Sequence, residues 1–264
     1  MIHDDFTELT LPANWRLEHY AHIGSTNDLA KQRARDGIPD GLVIVADQQI
    51  SGRGRMGRSW EMPAGTGLPV SILLRPIWLQ PADAYLLTML AAVSLCLATE
   101  QVASVQALLK WPNDLLLRDS DGVLRKAAGI LTELEARDGA INWAVIGIGL
   151  NIAWQPVGIV DGRDLAQMAT SLASASGVFV SRRDVLRALL EALATGIDAL
   201  RAGNQSALFD SWRARLATIS QTVTVRLPDR SISGIAEGVT AMGALQVRDA
   251  QGLLHIITAG DVEA

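Results

Sequence analysis

Residues 15–23, WRLEHYAHI, carry the apolar and polar spacing of a strand. GSTNDLAKQRARDG, residues 24–37, then reads as a helix. Ser25 or Thr26 can accept a backbone N–H at its start, and Gly37 closes its end. GLVIVADQQ (41–49) predicts a buried strand, and GLPVSILLRP (67–76) another. The 22 residues from Ala82 to Ala103 predict a long apolar helix at the centre of the fold. VQALLKWPNDLLL (105–117) reads as a strand bent at Pro112, because proline cannot donate to a central ladder. DSDG (119–122) and RDG (137–139) are turns. They flank KAAGILTELEA (126–136) and precede INWAVIGIGLNI (141–152), two neighbouring strands. Residues 182–203 and 206–218 have helical period. From Thr222 onward, short β-rich runs are separated by PDR, MG and DAQG, as in a small antiparallel barrel or sandwich. The boundary falls near Ile219, dividing the chain into 1–218 and 219–264.

Composition narrows the class. A chain of 264 residues, 49% hydrophobic, can bury a sizeable core in one large domain and a small one. Its net charge of -5 argues against general nucleic-acid binding, which needs a basic face. The single cysteine, Cys96, excludes an internal disulfide and reads as a buried apolar residue. The stretch MIHDDFTELT lacks the basic and apolar regions of a signal peptide. Leu86–Ala98 reads as too short to span a bilayer. Together these predict a soluble cytoplasmic protein.

The candidate chemistry begins at SGRGRMGRSW, residues 51–60. Gly52, Gly54 and Gly57 fit G-x-G-x-x-G, the dinucleotide fingerprint. That fingerprint must run into a helix, and here Pro63, Gly65, Gly67 and Pro69 follow. Arg53, Arg55 and Arg58 instead suit a loop that closes on a phosphate or carboxylate and is flexible when empty. A solvated basic loop has the same composition. In KWPND, Lys110 and Asp114 offer a cation and a carboxylate near a metal-bound phosphate; a plain Pro-Asn-Asp turn also accounts for them. Lys126 enters a buried strand, which a lysine does when paired or bound to ligand. Gly147 and Gly149 lie in an apolar strand, where glycine marks a close approach. The histidines at 3, 19, 22 and 255 form no metal-ligand pattern.

GSTN, QISGRGRMGRSW, KWPNDLLL, KAAGILTE and IGIGLNI occur in the order found in biotin protein ligases, which this chain resembles from Ile23 to Asn151. GIAEGVTAMGALQV resembles the small SH3-like C-terminal domain of that family. The resemblance implies an α+β fold: a mixed sheet with flanking helices, similar to the class II aminoacyl-tRNA synthetase core, plus the SH3-like barrel. It implies that biotin and ATP react, with Mg²⁺, to biotinyl-5′-AMP and pyrophosphate. Biotin then passes to one lysine of the biotin carboxyl carrier protein of acetyl-CoA carboxylase.

The same resemblance carries roles to residues. Ser25, Thr26, Asn27 and Gln49 match biotin contacts, with Gln48 adjacent to the last. Gly52, Arg53, Gly54 and Arg55 match the loop over biotin and the adenylate. Arg58 adds a phosphate contact, and Trp60 matches an aromatic near adenine. Lys126 matches the essential lysine, with Arg53 and Arg55 also catalytic. Lys110, Asn113 and Asn151 match the ATP side, Asp114 the magnesium side, and Gly129 and Gly149 line the ligand. Some relatives carry an N-terminal DNA-binding domain. Residues 1–24 are too few for one, so neither DNA binding nor a repressor function is expected. A homodimer is a further implication, and no membrane partner is expected. The alternatives are a lipoate or octanoate ligase on the related fold, and a module that binds without turnover.

Overall fold

The computed structural model describes residue 6 and residues 9–154, 156–160 and 163–263. Most of the acidic N-terminal stretch, with His3, lies outside the described residues.

The chain runs β1 (Arg16–Ile23), α1 (Thr26–Arg35), β2 (Leu42–Gln49), β3 (Gly67–Leu74), α2 (Tyr85–Ala103), β4 (Ala107–Lys110), β5 (Asp114–Arg118), β6 (Leu124–Arg137) and β7 (Ala140–Asn151). These seven strands form one sheet in the order β1-β2-β3-β7-β6-β5-β4. Only β1 and β2 pair in parallel, around α1; the other neighbours are antiparallel, which makes the sheet mixed. A short ladder of β8 (Ile159–Val160) and β9 (Arg163–Asp164) follows, then α3 (Leu165–Met168), α4 (Leu172–Ser176), α5 (Arg182–Arg201) and α6 (Gln205–Ala214). The last part is a five-stranded antiparallel sheet of β10 (Thr222–Arg226), β11 (Ser231–Val239), β12 (Leu245–Arg248), β13 (Leu254–Ile257) and β14 (Asp261–Glu263).

Both faces of the large sheet are covered, so its central strands read as continuous apolar runs rather than alternations. Leu42–Ala46 and all of β3 are buried. On one face α1 lays Ala30 and Ala34 against Leu42, Ile44, Leu73, Trp143 and Val145. On the other lies α2, apolar on every side and buried at 13 of its 19 positions. The segment Pro81–Ala103 is long and apolar enough to cross a membrane by length and composition, which corrects the shorter span read from the sequence. In the fold, 72% of its most apolar 18-residue window is buried, between the sheet, α5 and α6. Cys96 is fully buried within it, and burial pushes its thiol up to about 12.

One element differs from its sequence reading. Residues 105–117 are not a single bent strand but a hairpin, β4 against β5, with Lys110 opposite Asp114. The apolar residues on both sides of Trp111-Pro112-Asn113 belong to antiparallel partners, and periodicity does not distinguish a fold-back from a bend.

The α2–α5 packing is close enough to test. A Cβ on Gly196 would stand 2.2 Å from Leu90 Cδ1, and Leu90 is 1% exposed. Leu90→Ala should cost about 2–5 kcal/mol in urea unfolding. Gly196→Ala, which in an open helix would gain about 1 kcal/mol, should destabilise the parent chain and cease to do so in the Leu90→Ala background. Stabilisation of the parent by Gly196→Ala would refute this packing.

Candidate active site

The site begins where β1 hands over to α1. Ser25 caps the helix, its hydroxyl accepting from Asp28 N–H at 3.4 Å. The next residue turns into the protein: Thr26 N–H and Oγ1 both donate to Gln49 Oε1, at 2.8 and 3.0 Å. Two donors on one amide oxygen fix the orientation of Gln49 and leave its Nε2 over Gly52, where a Cβ would come within 2.7 Å. Gln49, not Gln48, therefore faces this pocket. Ser71 Oγ lies 2.8 Å from Thr26 Oγ1 and 2.6 Å from Asn27 Oδ1, and its single proton serves one of them at a time. Asn27 Nδ2 donates to Glu133 Oε2 at 2.9 Å and to Leu131 O at 3.3 Å. Its carboxamide occupies the space that a Cβ on Gly147 would need, 2.0 Å from Oδ1.

The arginine loop is a small finger, not the start of a long helix. Arg53 bridges Ser59, Trp60 N–H donates to Gly52 O at 2.9 Å, and Gly54 N–H donates to Arg58 O at 2.7 Å. A Cβ at Gly52 would stand 2.3 Å from Trp60 O, so this glycine is needed for close approach. At Gly54 a Cβ would meet nothing nearer than 3.8 Å. The three arginines take three different partners: Arg53 pairs with Asp28, Arg58 with Asp261 on β14, and Arg55 Nη1 donates to Asn113 Oδ1 at 3.1 Å. Burial holds the Arg55 guanidinium below its ordinary pKa; the Asp114 carboxylate pushes back up and Arg58 adds to the lowering. Arg55 stays charged, because a guanidinium is not deprotonated in proteins.

Beyond the finger, Lys126 Nζ pairs with Asp114 Oδ1 at 2.6 Å and stands 5.5 Å from the centre of the Trp60 ring. Trp60 lies over Gly149 and Gly129, where added Cβ atoms would meet it at 2.4 and 3.5 Å. Its indole Nε1 is buried and has no hydrogen-bond partner among the described residues. Asn113 Nδ2 donates to Ile130 O at 2.6 Å, which pins the hairpin tip to β6. Lys31 ties the first turn of α1 to β6, with Nζ 2.7 Å from Glu133 and 3.1 Å from Asp28.

Most residues singled out in the sequence thus meet in one cluster linked by direct contacts. Ser25, Thr26, Asn27, Gln49, Gly52 and Arg53 stand at one end, and Arg55, Trp60, Asn113, Asp114, Lys126, Gly129 and Gly149 at the other. Lys110 stands opposite Asp114 in the hairpin. Two residues are placed differently from expectation. Arg58 is turned to the C-terminal sheet, and Asn151 is 3% exposed with its Nδ2 donating to Thr170 O at 3.0 Å. Asp114 is the counter-ion of Lys126. No group of three or more metal-ligating side chains occurs among the described residues. Sequence reading missed Ser71, Glu133 and Asp261. A polar residue inside the run GLPVSILL was the signal for the first; the other two give none.

Known proteins resemble this chain in both of its parts. Residues 20–151 match the Biotin/lipoate A/B protein ligase family, and residues 218–263 match the Biotin protein ligase C terminal domain. The chain is 33% identical over 242 residues to the bifunctional ligase/repressor BirA of Bacillus subtilis, covering 91% of this chain and 71% of the relative. It is also 33% identical over 261 residues to the biotin–[acetyl-CoA-carboxylase] ligase of Mycobacterium tuberculosis, covering 95% and 90%. Among solved structures, the biotin protein ligase of Aquifex aeolicus in complex with biotin and ATP superposes with a TM-score of 0.76 at 23% identity, over 94% of this chain and 97% of that one. With both domain models matched in order and the fold shared end to end, the chain belongs to the biotin protein ligase family.

Proposed function

We propose that the protein activates biotin with ATP, forming biotinyl-5′-AMP and pyrophosphate, and then transfers biotin to a lysine of a biotin carboxyl carrier protein in the cytoplasm. The observation that carries this reading is the placement of Lys126. Its ammonium lies between Trp60 and Asp114, with Arg55 and Asn113 beside Asp114, and the finger that carries Trp60 begins next to the Thr26–Gln49 pair. The names of the relatives from Mycobacterium tuberculosis and Paracoccus denitrificans support the carboxylase carrier as acceptor.

The chemistry follows from charge. A carboxylate oxygen of biotin attacks the α-phosphorus of ATP; the phosphorus–oxygen bond to pyrophosphate breaks, and pyrophosphate leaves with the electron pair. Two anions must meet, so cations that bind both groups lower the barrier. Lys126 exchanges Asp114 for the carboxylate and the α-phosphate, while Arg55 faces the phosphates and Arg53 closes over the biotin end. Thr26 and Gln49 hold the ureido head of biotin, with Gln49 Nε2 left free of Thr26 to donate. In the second step the acceptor amine attacks the anhydride carbonyl, the amide forms, AMP leaves, and the amine proton passes to solvent. The finger of residues 52–60 keeps water from the anhydride in the interval. Asp114, a carboxylate on the phosphate side, suits Mg²⁺, which binds through one or two carboxylates, substrate phosphates and water. Bound there, Mg²⁺ would neutralise charge on the phosphates.

Three outcomes test the reading. Purified protein with labelled pyrophosphate and ATP should show exchange that depends on biotin and not on lipoate; exchange with lipoate alone would overturn the substrate, and none with either would overturn the activity. Lys126→Ala should lower adenylate formation about 10²–10³-fold with a near-parental melting temperature; near-parental turnover would remove Lys126 from its role. Arg53→Gly should speed dissociation of biotinyl-5′-AMP and label lysines on a bystander protein. An unchanged dissociation rate would show that Arg53 does not clamp the adenylate.

A further inference from the structure

Asp119 is a buried carboxylate with no part in the chemistry above, yet it lies where the strand of Lys126 loses its neighbour. The pairing of β7 with β6 reaches only Ala128, opposite Leu150, and β7 ends at Asn151. Lys126 is two residues beyond that ladder. On its other side the register with β5 shifts: Leu115 faces Ala128, Leu116 faces Lys126, and Ala127 is the extra residue. Pairing with β7 therefore ends before the residue whose position matters most, and pairing with β5 reaches it only across a bulge.

A separate segment takes the place of β7. Ala169 bridges Lys126 in the parallel sense, and Thr170 N–H donates to Lys126 O at 2.9 Å. Asp119 holds this segment. Thr170 Oγ1 donates to its Oδ2 and Ser174 Oγ to its Oδ1, both at 3.0 Å; Ser120 N–H donates to Oδ1 at 2.9 Å, and Arg125 Nη1 stands 3.5 Å from Oδ2. Asp119 is 8% exposed and Thr170 fully buried. Burial alone would raise the carboxyl's pKa, but Ser120, Ser174, Thr170 and Arg125 together hold it below the ordinary value. The segment also ties to the end of β7, through Asn151 Nδ2 on Thr170 O at 3.0 Å and Ala173 N–H on Ile152 O at 2.9 Å.

We propose that Asp119 is a positioning residue for adenylation: through Thr170 and Ser174 it seats Ala169–Thr170 beside β6 and so places Lys126 and the Asn151 carboxamide. The proposal rests on the reading of Lys126 as the cation of the first step. Removing one accepting oxygen (Asp119→Asn) or one donor (Thr170→Val) should loosen that seat by the same route, so their effects should not add. A carboxylate that served stability alone would lower the melting temperature and leave the folded molecules' kinetics intact.

The experiment combines kinetics with a direct view of Lys126. In Asp119→Asn and Thr170→Val, kcat for adenylate formation should fall about ten-fold or more with KM for biotin within about two-fold. Thr170→Ser, which keeps the hydroxyl, should stay within about two-fold of the parent. The double variant should fall no further than the worse single one. The chain has three lysines, Lys31, Lys110 and Lys126. Enrichment with lysine labelled at 13Cε therefore gives three resonances, assigned with Lys31→Arg and Lys126→Arg. The Lys126 resonance should shift in both variants without substrate, and that of Lys31 should stay. Parental kcat in both variants, or a loss of activity with an unmoved Lys126 resonance, would overturn the proposal. Should Asp119→Asn not fold, Thr170→Val carries the same two measurements. A parent protein without biotin-dependent exchange would instead overturn the proposed function, and the resonance would still report whether Asp119 places Lys126.

Discussion

Everything in the groove depends on two missing methyl groups. Gly147 and Gly149 face the same side of β7, two residues apart, as the strand period requires. Onto the first presses the Asn27 carboxamide, onto the second the Trp60 indole, each at a distance no side chain at that position would allow. The first contact brings the N-terminus of α1 onto the sheet; the second brings the arginine finger down over Lys126. An alanine at either place would push one wall of the groove outward. Isolated glycines weaken a strand, so two in a buried central one trade stability for closeness.

The second constraint is electrostatic. A site for carboxylate and phosphates needs several cations close together, and in the free protein their repulsion must be met. It is met mostly by carboxylates, Asp28 for Arg53 and Lys31, Asp261 for Arg58, Asp114 for Lys126 and Glu133 for Lys31, while Arg55 is held by the Asn113 amide. The side chains of the Arg53–Asp28 pair are 48% and 47% exposed. Pairs of that kind contribute at most about 1 kcal/mol each, so an incoming anion exchanges partners at little cost. The acidic net charge and the cationic groove are thus parts of one arrangement, since the counter-ions sit in the protein rather than in solvent.

The elements legible in the sequence were those with a local cause. The Ser25 cap, the all-apolar α2 and the turns of the C-terminal sheet follow from neighbouring residues alone. The motifs were legible as a set because each carries residue types that a plain helix or strand does not need. What the sequence did not show is pairing over distance. The β4–β5 hairpin, the Ser71 hydroxyl shared between Thr26 and Asn27, and the Asp261 partner of Arg58 join positions far apart in the chain. Asn151 illustrates the same limit: its motif is readable, but only the fold shows that its amide is engaged by Thr170.

Long-range pairing also explains why KWPND is composed as it is. Its polar members belong to the groove: Asp114 faces Lys126, and Asn113 joins Arg55 to β6. Trp111, 3% exposed, belongs to the interface with the second sheet. Its Nε1 donates to Gly243 O at 2.9 Å, and its N–H donates to Thr218 Oγ1 at 2.9 Å, just before β10. From the other side of that sheet's chain, Asp261 reaches Arg58 in the finger. The C-terminal sheet therefore touches the groove at two points, one beside the Lys126 counter-ion and one on the arginine loop.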